Sequence, residues 1–314
     1  MKLAPLVILL LVTYSTSARA DTFGNGANSF NIEFVYIGNA NNPDDTTGSP
    51  NPAGKVEYDY RIGKYEISEQ MIDKANALGG LGIPKDSRGP NKPATSVNWF
   101  EAAKFINWLN IDANSTPAYK FDGSGNFRPW GSSDPGYNRN NFYRNSQAKY
   151  FLPSVDEWYK AAYYDPNGGV YFDYPTGSNN LPDGFDFVGD PNFDAVFPDG
   201  DFNSFDLQPI DVTIMGVLSP YGTAGQGGNV WEWEETDFDL MYSPISGSDS
   251  RGIRGGSWAF YRDSLLATIR GSEYPFSERD YIGFRIASIT VPEPSTVLLG
   301  ALASVGVLLR RRCE

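Results

Sequence analysis

The sequence predicts an α+β fold that is low in regular secondary structure, with two main helices around short antiparallel sheets. The chain holds 33 Gly, 22 Pro and 15% aromatic residues. This composition is typical of irregular chain pinned by buried rings, and not of a helical bundle. Two segments show helical spacing of apolar residues, whereas the strand-like segments are short and separated by turns. Residues 30–290 contain no repeat and no clear linker, which indicates one domain.

Before this domain, residues 1–20 are predicted to be a signal peptide. Lys2 forms a basic n-region, residues 6–12 are an apolar run too short to span a bilayer, and Ala-Arg-Ala at 18–20 fits a cleavage site. The alternative is a helix of the mature fold. We expect export, with the mature chain starting near Asp21.

The C-terminal segment, residues 291–314, contains three elements in order. They are Val-Pro-Glu-Pro at 291–294, an apolar stretch at 296–309 and three arginines at 310–312. A helix over the apolar stretch reaches about 21 Å, which is short of a hydrocarbon core of roughly 30 Å. Arginine snorkelling and local thinning of the bilayer reduce this gap. The arginines are expected on the cytoplasmic side.

This C-terminal segment resembles the PEP-CTERM sorting signal of exported bacterial proteins. The resemblance implies a Gram-negative-type bacterium, processing by an exosortase-type enzyme near the Pro-Glu-Pro, and delivery to the cell surface or an extracellular polysaccharide matrix. Until it is processed, the short helix would serve as a transient membrane anchor. The alternative is an ordinary C-terminal membrane anchor.

Charge and two scarce residue types narrow the classes of function. The formal net charge is −13, and it becomes −17 without residues 1–20 and 295–314, which hold five of the 25 basic and one of the 38 acidic residues. This acidity argues against nucleic acid or anionic lipid as a partner. The chain has no histidine, and its one cysteine, Cys313, lies in the C-terminal segment. Disulfides, thiolate nucleophiles, imidazole bases and His- or Cys-ligated metals are therefore excluded from the mature chain.

The first predicted elements are two strands and a helix. Residues 30–37 (FNIEFVYI) alternate in polarity, and residues 56–65 (VEYDYRIGKY) are also strand-like, with a turn-rich loop at 39–54 between them. Ser68 is placed to cap a helix that ends at Gly-Gly, residues 79–80.

The two main helices come next. In residues 93–110 (PATSVNWFEAAKFINWLN), Ser96 or Asn98 can cap a helix with apolar residues at helical spacing. In residues 151–164 (FLPSVDEWYKAAYY), Ser154 precedes a glutamate by three residues, which is the pattern of a capping box. Four short strand or turn segments complete the domain, at 222–233, 251–258, 267–271 and 281–289.

Four motifs now occur in order: the two helical segments, then GGNVWEWEE at 227–235, then RGGSW at 254–258 with GFR at 283–285. This series resembles the sulfatase-modifying factor family, which includes the formylglycine-generating enzymes. The resemblance spans about residues 30–290. It implies a C-type-lectin-like fold that is low in regular secondary structure.

The resemblance places GGNVWEW in a buried loop at the centre of the fold. Its glycines permit tight turns, and its indoles pack in the core and need partners for their N–H groups. Asn229 and Glu232 offer the hard oxygen atoms that calcium prefers, so they are predicted as ligands of a structural calcium ion. In the alternative interpretation, the two side chains only satisfy backbone donors.

Catalytic members of the family carry two copper-binding cysteines, five residues apart, shortly after RGGSW. The same offsets reach Phe260 and Leu265 here, which can neither bind copper nor act as a redox centre. A second branch forms sulfur–histidine conjugates with iron held by three histidines, and this chain has none. We therefore expect neither copper nor iron and no formylglycine-generating activity. By resemblance, the ligand groove is predicted to be lined by Trp258, Phe260, Tyr261, Arg262, Leu265 and Arg270.

Two other segments leave alternatives open. Residues 183–211 hold eight aspartates, and residues 199–203 open like a calcium loop. Ser204 and Ile210 stand where an EF-hand needs Gly and Glu, so the choice is between a looser calcium site and a solvated acidic loop. The Tyr, Trp and Asn of residues 119–145 predict either a sugar-binding groove or a packed insertion.

Two functions are consistent with these patterns. The first is an exported, non-catalytic binding or structural module of the cell surface or polysaccharide matrix, with a polysaccharide or surface protein as ligand. The second is an enzyme of divergent chemistry in the same groove, using carboxylates, Tyr261, Arg262 or Arg270. A groove lined by aromatic residues, Phe260 and Leu265 would favour binding, whereas converging buried acids would favour catalysis.

Overall fold

The computed structural model describes residues 19–184, 194–198, 208–214, 216–242 and 249–289. Within these ranges the α-helices are α1 (Glu69–Gly79), α2 (Trp99–Asp112) and α3 (Val155–Tyr163). The strands, in chain order, are β1 (Arg19–Phe23), β2 (Phe30–Ile37), β3 (Tyr60–Gly63), β4 (Lys120–Phe121), β5 (Phe127–Arg128), β6 (Tyr150–Phe151), β7 (Tyr164–Asp165), β8 (Val170–Tyr171), β9 (Asp183–Gly184), β10 (Asp194–Ala195), β11 (Trp231–Asp237), β12 (Arg251–Arg254), β13 (Gly271–Glu273), β14 (Ile282–Gly283) and β15 (Ala287–Ile289).

The larger sheet joins both ends of the domain. Its strand order is β1-β2-β3-β15-β6, and all neighbours are antiparallel. β1 begins at Arg19, so the last two residues of the predicted signal peptide lie in this strand. β3 is shorter than the strand predicted at 56–65, because its pairing with β2 covers only Tyr60–Gly63. Beyond that point the chain turns towards the end of the domain, and the Gly63 N–H donates to the Ile286 carbonyl at 2.7 Å.

The second sheet surrounds the GGNVWEW motif. Its strand order is β13-β12-β11-β14, with β11 antiparallel to β12 and parallel to β14. Every residue of β11 (WEWEETD) is buried, although four of the seven are acidic. Acidic side chains are almost never fully buried unless they are paired. The four acids of this strand therefore need positively charged partners inside the fold.

The three helices begin where their capping residues predict. The Asn98 side chain accepts from the Glu101 N–H, and the Glu101 side chain accepts from the Asn98 N–H. Ser154 and Glu157 form the same reciprocal capping box at α3, as predicted. α1 ends at Gly80, whose φ of 61° is the left-handed conformation that favours glycine.

Aromatic rings fill the space between the helices and the sheets. Trp99, the first residue of α2, has no accessible surface and contacts the rings of Tyr119, Phe127 and Tyr143 at centroid distances of 5.1–6.3 Å. The aromatic residues that the 119–145 segment contributes here are therefore core residues. This outcome supports the packed-insertion alternative for these three rings.

The described residues include no helix that is both long and apolar enough to cross a membrane. Two predictions lie outside the described residues: residues 1–18 of the signal peptide and the whole C-terminal sorting signal, residues 291–314.

Candidate functional site

Strand β11 places four carboxylates in the interior. Glu232, Glu234, Glu235 and Asp237 each have 0% exposure. Each forms an ion pair with arginine that comes from another part of the chain. The pairs are Glu232 with Arg285, Glu234 with both Arg254 and Arg270, Glu235 with Arg144, and Asp237 with Arg251. Buried charges are tolerated when they are paired in this way, so the acids of WEWEETD are held as parts of the core.

Glu232 is held by the arginine of the GFR motif. Arg285 Nε and Nη2 donate to the two carboxylate oxygens at 2.5 and 2.6 Å, and Trp158 Nε1 donates to one of them at 2.7 Å. Arg285 also donates to the carbonyls of Gly63 and Ala224. The pair thus ties β11 to α3 and to the larger sheet.

Asn229 closes the loop before β11. Its φ of 61° is left-handed, and Gly228 before it also has a positive φ, of 85°. A Cβ at Gly228 would lie 2.2 Å from the Val196 carbonyl oxygen, so only glycine fits. The Asn229 side chain accepts from the Ile210 N–H at 2.9 Å and donates to Glu66 Oε1 at 2.9 Å.

The two predicted calcium ligands therefore lie in one buried network with protein partners. A calcium ion at Glu232 would compete with the Arg285 guanidinium for the same oxygens, and one at Asn229 would compete with the Ile210 amide. In the described ranges, no group of three or more acidic, His or Cys side chains is placed to hold a metal. Most of the aspartates of residues 183–211 lie outside those ranges. Calcium stays a prediction.

Glu66 belongs to this network and was not predicted from the sequence. It is 1% exposed, and its second oxygen, Oε2, has no hydrogen-bond partner in the part of the chain that the structure describes. Burial raises the pKa of Glu66 to about 7, although the positive charge of Arg285 counteracts part of the effect. In the sequence, Glu66 is a single acid between apolar residues in KYEIS, and this pattern alone does not show that its side chain is buried. Only the fold shows that it faces the interior.

The predicted groove residues fall into separate environments. Phe260 is 38% exposed, and its ring packs edge-on against Trp231 at 5.7 Å and Tyr281 at 5.1 Å. Tyr261, beside it, is 79% exposed. We call Phe260, Tyr261, Trp231 and Tyr281 the Phe260 surface. Trp258 is half-buried, and its indole N–H has no hydrogen-bond partner among the described residues. The Arg88 guanidinium lies 5.7 Å from the Trp258 ring.

Of the other three predicted groove residues, one is exposed and two are buried. Arg262 is exposed on a short 3-10 helix (Arg262–Leu265), whereas Leu265 at its end is completely buried in a small apolar cluster. The Arg270 side chain is 3% exposed and pairs with Glu234 at 2.7 Å. The two positions aligned with the copper cysteines therefore differ: one is a surface ring and the other is core.

The indole N–H groups of the GGNVWEW motif also differ. Trp233 Nε1 donates to the Val97 carbonyl at 2.9 Å, as the prediction of a buried, partnered indole requires. Trp231 is 5% exposed, and its Nε1 has no hydrogen-bond partner. Within the Phe260 surface, Trp231 thus carries a buried donor that has no partner among the described residues.

A cavity of about 340 Å³ opens beside the start of α3. Arg144 is one of its lining residues, and the Arg144 guanidinium pairs with Glu157 at 2.8 Å and with Glu235 at 2.7 Å. Burial would raise the pKa of Glu157, but Arg144 outweighs it, and that pKa lies below its ordinary value. We call this space the asparagine cavity, and its wall includes Tyr58, Asn138, Asn140, Asn141, Asp156, Leu240 and Tyr242.

A second cavity, of about 550 Å³, lies near the end of β2. Its wall combines aliphatic residues with two tyrosines, Tyr36 and Tyr221, and one cation, Lys64. The Tyr221 hydroxyl donates to the Gly38 carbonyl at 3.0 Å, which holds the rim of this cavity together. Neither cavity is lined by the groove residues predicted at 258–270.

Comparisons with known proteins agree with this fold. The chain is 26% identical over 147 residues to the hercynine oxygenase of Mycobacterium tuberculosis, which covers 43% of this chain and 32% of that protein. It is 32% identical over 143 residues to the inactive Cα-formylglycine-generating enzyme 2 of Mus musculus, covering 44% and 42%. The chain thus spans less than half the length of either relative.

Solved structures match over more of the chain. The variable protein 1 of Treponema denticola has a TM-score of 0.61 at 22% identity, covering 87% of this chain and all of that one. PvdO from Pseudomonas aeruginosa has a TM-score of 0.52 at 16% identity, covering 86% and 98%. At these identities the likeness shows the fold alone, and it confirms the predicted α+β, C-type-lectin-like architecture.

Two family models match the chain, and together they cover residues 33–312. Residues 290–312 match the PEP-CTERM protein-sorting motif, which implies an exported protein that is sorted and processed by an exosortase. Residues 33–289 match the sulfatase-modifying factor enzyme 1-like domain. The chain therefore belongs to the family of proteins with a sulfatase-modifying factor enzyme 1-like domain.

Proposed function

We propose that this protein is a non-catalytic module that binds polysaccharide at the bacterial cell surface or in its extracellular matrix. The observation that carries the proposal is the environment of Phe260 and Leu265, which stand where catalytic members of the family have cysteines. Phe260 presents a ring at the surface and Leu265 is buried in the core. Neither side chain can hold copper or transfer electrons.

The pairing of the buried acids supports binding over the alternative of a divergent enzyme. A general acid or base must be able to exchange a proton with a substrate. Glu232, Glu234 and Glu235 have no accessible surface and are neutralised by arginines. Arg270, one of the residues considered for catalysis, is used in the same way.

The Phe260 surface has the chemistry of a sugar-contacting surface. Aromatic rings with an apolar body and a polar tip suit contacts that are partly wet, and sugar rings present both C–H faces and hydroxyl groups. Phe260 and Tyr261 are exposed neighbours in the chain, and the Phe260 ring packs edge-on against Trp231. The Trp231 indole N–H has no hydrogen-bond partner among the described residues. The sorting motif supports a location in which polysaccharide is abundant.

The test is a binding assay of the exported protein on polysaccharide extracted from the producing cells, with calcium and with a chelator. We expect binding, and we expect the double variant F260A/Y261A to weaken it about tenfold through the loss of two ring contacts. Y36A, which removes an exposed tyrosine elsewhere, is the matched control and should bind normally. Loss of binding in the chelator would support the predicted calcium ion.

Two results would contradict the proposal. One is the absence of binding to any polysaccharide fraction in either condition. The other is conversion of cysteine to formylglycine in a sulfatase-derived peptide when the protein is supplied with copper and oxygen.

A further inference from the structure

We infer that the asparagine cavity is a binding subsite for a neutral sugar residue. The inference rests on the proposed function for its ligand class, but it concerns a different site from the Phe260 surface. Its volume of about 340 Å³ is at the lower end of the range found for small-molecule sites. That size suits one or two sugar units rather than a folded partner.

The first argument is the set of polar groups that the fold leaves available in the wall. Asn140 is exposed, and its side chain makes no hydrogen bond in the described structure; only its backbone N–H does, to Asn138 Oδ1. Asp156 Oδ1 accepts from the Gly54 N–H at 2.8 Å, and no hydrogen bond to Oδ2 is formed by the described residues. Amide and carboxylate groups of this kind match the hydroxyls of a sugar, which both donate and accept.

The second argument is a fixed aromatic wall. The Tyr58 hydroxyl donates to Glu157 Oε1 at 2.7 Å, yet the residue is 47% exposed. On the same wall, Tyr242 packs edge-on against Tyr143 at 4.9 Å. A ring whose hydroxyl is already held loses little conformational freedom when a ligand packs against it.

The third argument is charge, which selects neutral sugars over acidic ones. Arg144 is the cation in the cavity wall, and it is already shared between Glu157 and Glu235. Asp156 forms no ion pair in the described residues, and burial raises its pKa to about 6. The wall is therefore net acidic at neutral pH, and a uronate or phosphorylated sugar would be repelled.

Neighbouring residues explain why these groups stay open. Both polar atoms of the Asn141 side chain already form hydrogen bonds within the protein. Its Nδ2 donates to Glu235, and its Oδ1 accepts from the Tyr143 N–H. It anchors the 138–141 loop on the buried Arg144 network. The same segment thus sends Tyr143 into the core and holds Asn140 at the rim of the cavity.

The experiment is calorimetric titration of the exported protein with short neutral oligosaccharides (gluco-, manno- and galacto-oligomers) and with oligomers of uronic acids. We expect at least one neutral series to bind and the uronic acids to bind more weakly. N140A and Y58A should each raise the Kd about tenfold, whereas Y58F, which keeps the ring, should stay within about threefold. D156N should narrow the difference between neutral and acidic sugars.

Y36A, which removes an exposed ring outside both the asparagine cavity and the Phe260 surface, is the control and should leave the Kd of the short neutral oligomers unchanged. Because Tyr58 contacts the buried network, its variants are compared with the wild type by thermal unfolding. N140A changes an exposed side chain that makes no hydrogen bond to the described residues, so it tests the inference with little effect on the fold.

Unchanged neutral-sugar affinity in both N140A and Y58A would overturn the inference, as would the failure of every neutral oligomer to bind. The proposed function would survive either result if cell polysaccharide is still bound and F260A/Y261A weakens that binding. Conversely, an effect of N140A together with no effect of F260A/Y261A would move polysaccharide recognition to the asparagine cavity.

Discussion

Glu232 illustrates how single residues make a buried acidic strand stable. Its carboxylate receives three hydrogen bonds, two from Arg285 and one from Trp158. Taking two charges out of water is costly, and only close pairing with further hydrogen bonds offsets that cost. The net stabilisation from the pair itself is therefore small. Removing one partner is costly, because it leaves an unpaired charge in the interior.

Replacing Glu232 by alanine is expected to lower the free energy of unfolding by about 3–5 kcal/mol, because it leaves Arg285 buried without its counter-charge. Urea unfolding followed by tryptophan fluorescence measures the change. The matched control is E33A, which removes a partly exposed carboxylate 3.6 Å from Lys64 and should cost less than about 1 kcal/mol. Equal losses in the two variants would show that burial of the pair is unimportant.

Glu66 makes stability depend on pH. Burial raises its pKa in the folded protein to about 7, from an ordinary value of 4.5, so between these values the folded state binds more protons than the unfolded state. Stability is therefore expected to fall as pH rises from about 4.5 to about 7.

The variant E66Q should lack this contribution. Relative to E66Q, the wild type should lose up to about 3 kcal/mol between pH 5 and pH 8. Urea unfolding of both proteins at several pH values checks this, since other titrating groups, including Asp156, are common to both. Parallel stability curves would mean that Glu66 is ionised in the folded state throughout.

At the scale of elements, helix starts are decided by local hydrogen bonds. Asn98 and Glu101 cap each other at α2, and Ser154 and Glu157 do so at α3. Ser68 has the right position before α1, but its side chain makes no capping bond. The sequence pattern was correct at Ser68 and Ser154 and left Ser96 or Asn98 open at α2, where the structure has Asn98. Only the structure distinguishes a side chain that forms a capping bond from one that stands at the cap position without one.

N98A is expected to cost about 1 kcal/mol, because it removes one half of the capping box of α2. S68A is the matched control, and it should cost only a few tenths of a kcal/mol, since no capping bond is lost. Thermal and urea unfolding of both variants measure the two costs. A larger effect at Ser68 than at Asn98 would contradict the assignment of the caps.

At the scale of the whole molecule, the last described strand ends just before the residues that match the sorting motif. β15 ends at Ile289, between β3 and β6 in the larger sheet, and the PEP-CTERM match begins at the next residue. Both neighbours of β15 in the sheet, β3 and β6, are formed by residues that precede the sorting motif.

Removing residues 291–314 is expected to leave the Tm of the domain within about 2 °C of that of the full chain. The shortened protein should also appear in the medium instead of the cell envelope, because the sorting signal is gone. Calorimetry and cell fractionation test the two expectations separately. A large fall in Tm would show that the C-terminal segment contributes to the fold.

The sequence by itself determined the features that depend on residues close together in the chain or on composition. The helix start at Ser154 follows from two side chains three residues apart, and composition gives a chain with no histidine and with its one cysteine, Cys313, in the C-terminal segment. The motif order identified the family, and the Pro-Glu-Pro, apolar and arginine series identified the sorting signal.

Only the tertiary structure decided which distant groups meet. Asn229 binds Glu66 across 163 positions, and Glu232 pairs with Arg285 across 53. No local pattern encodes such partners, because an ion pair depends on distance in space, and burial depends on every element packed around a side chain. For the same reason, Phe260 and Leu265, equally apolar and five residues apart, could not be separated by sequence into a surface ring and a core residue.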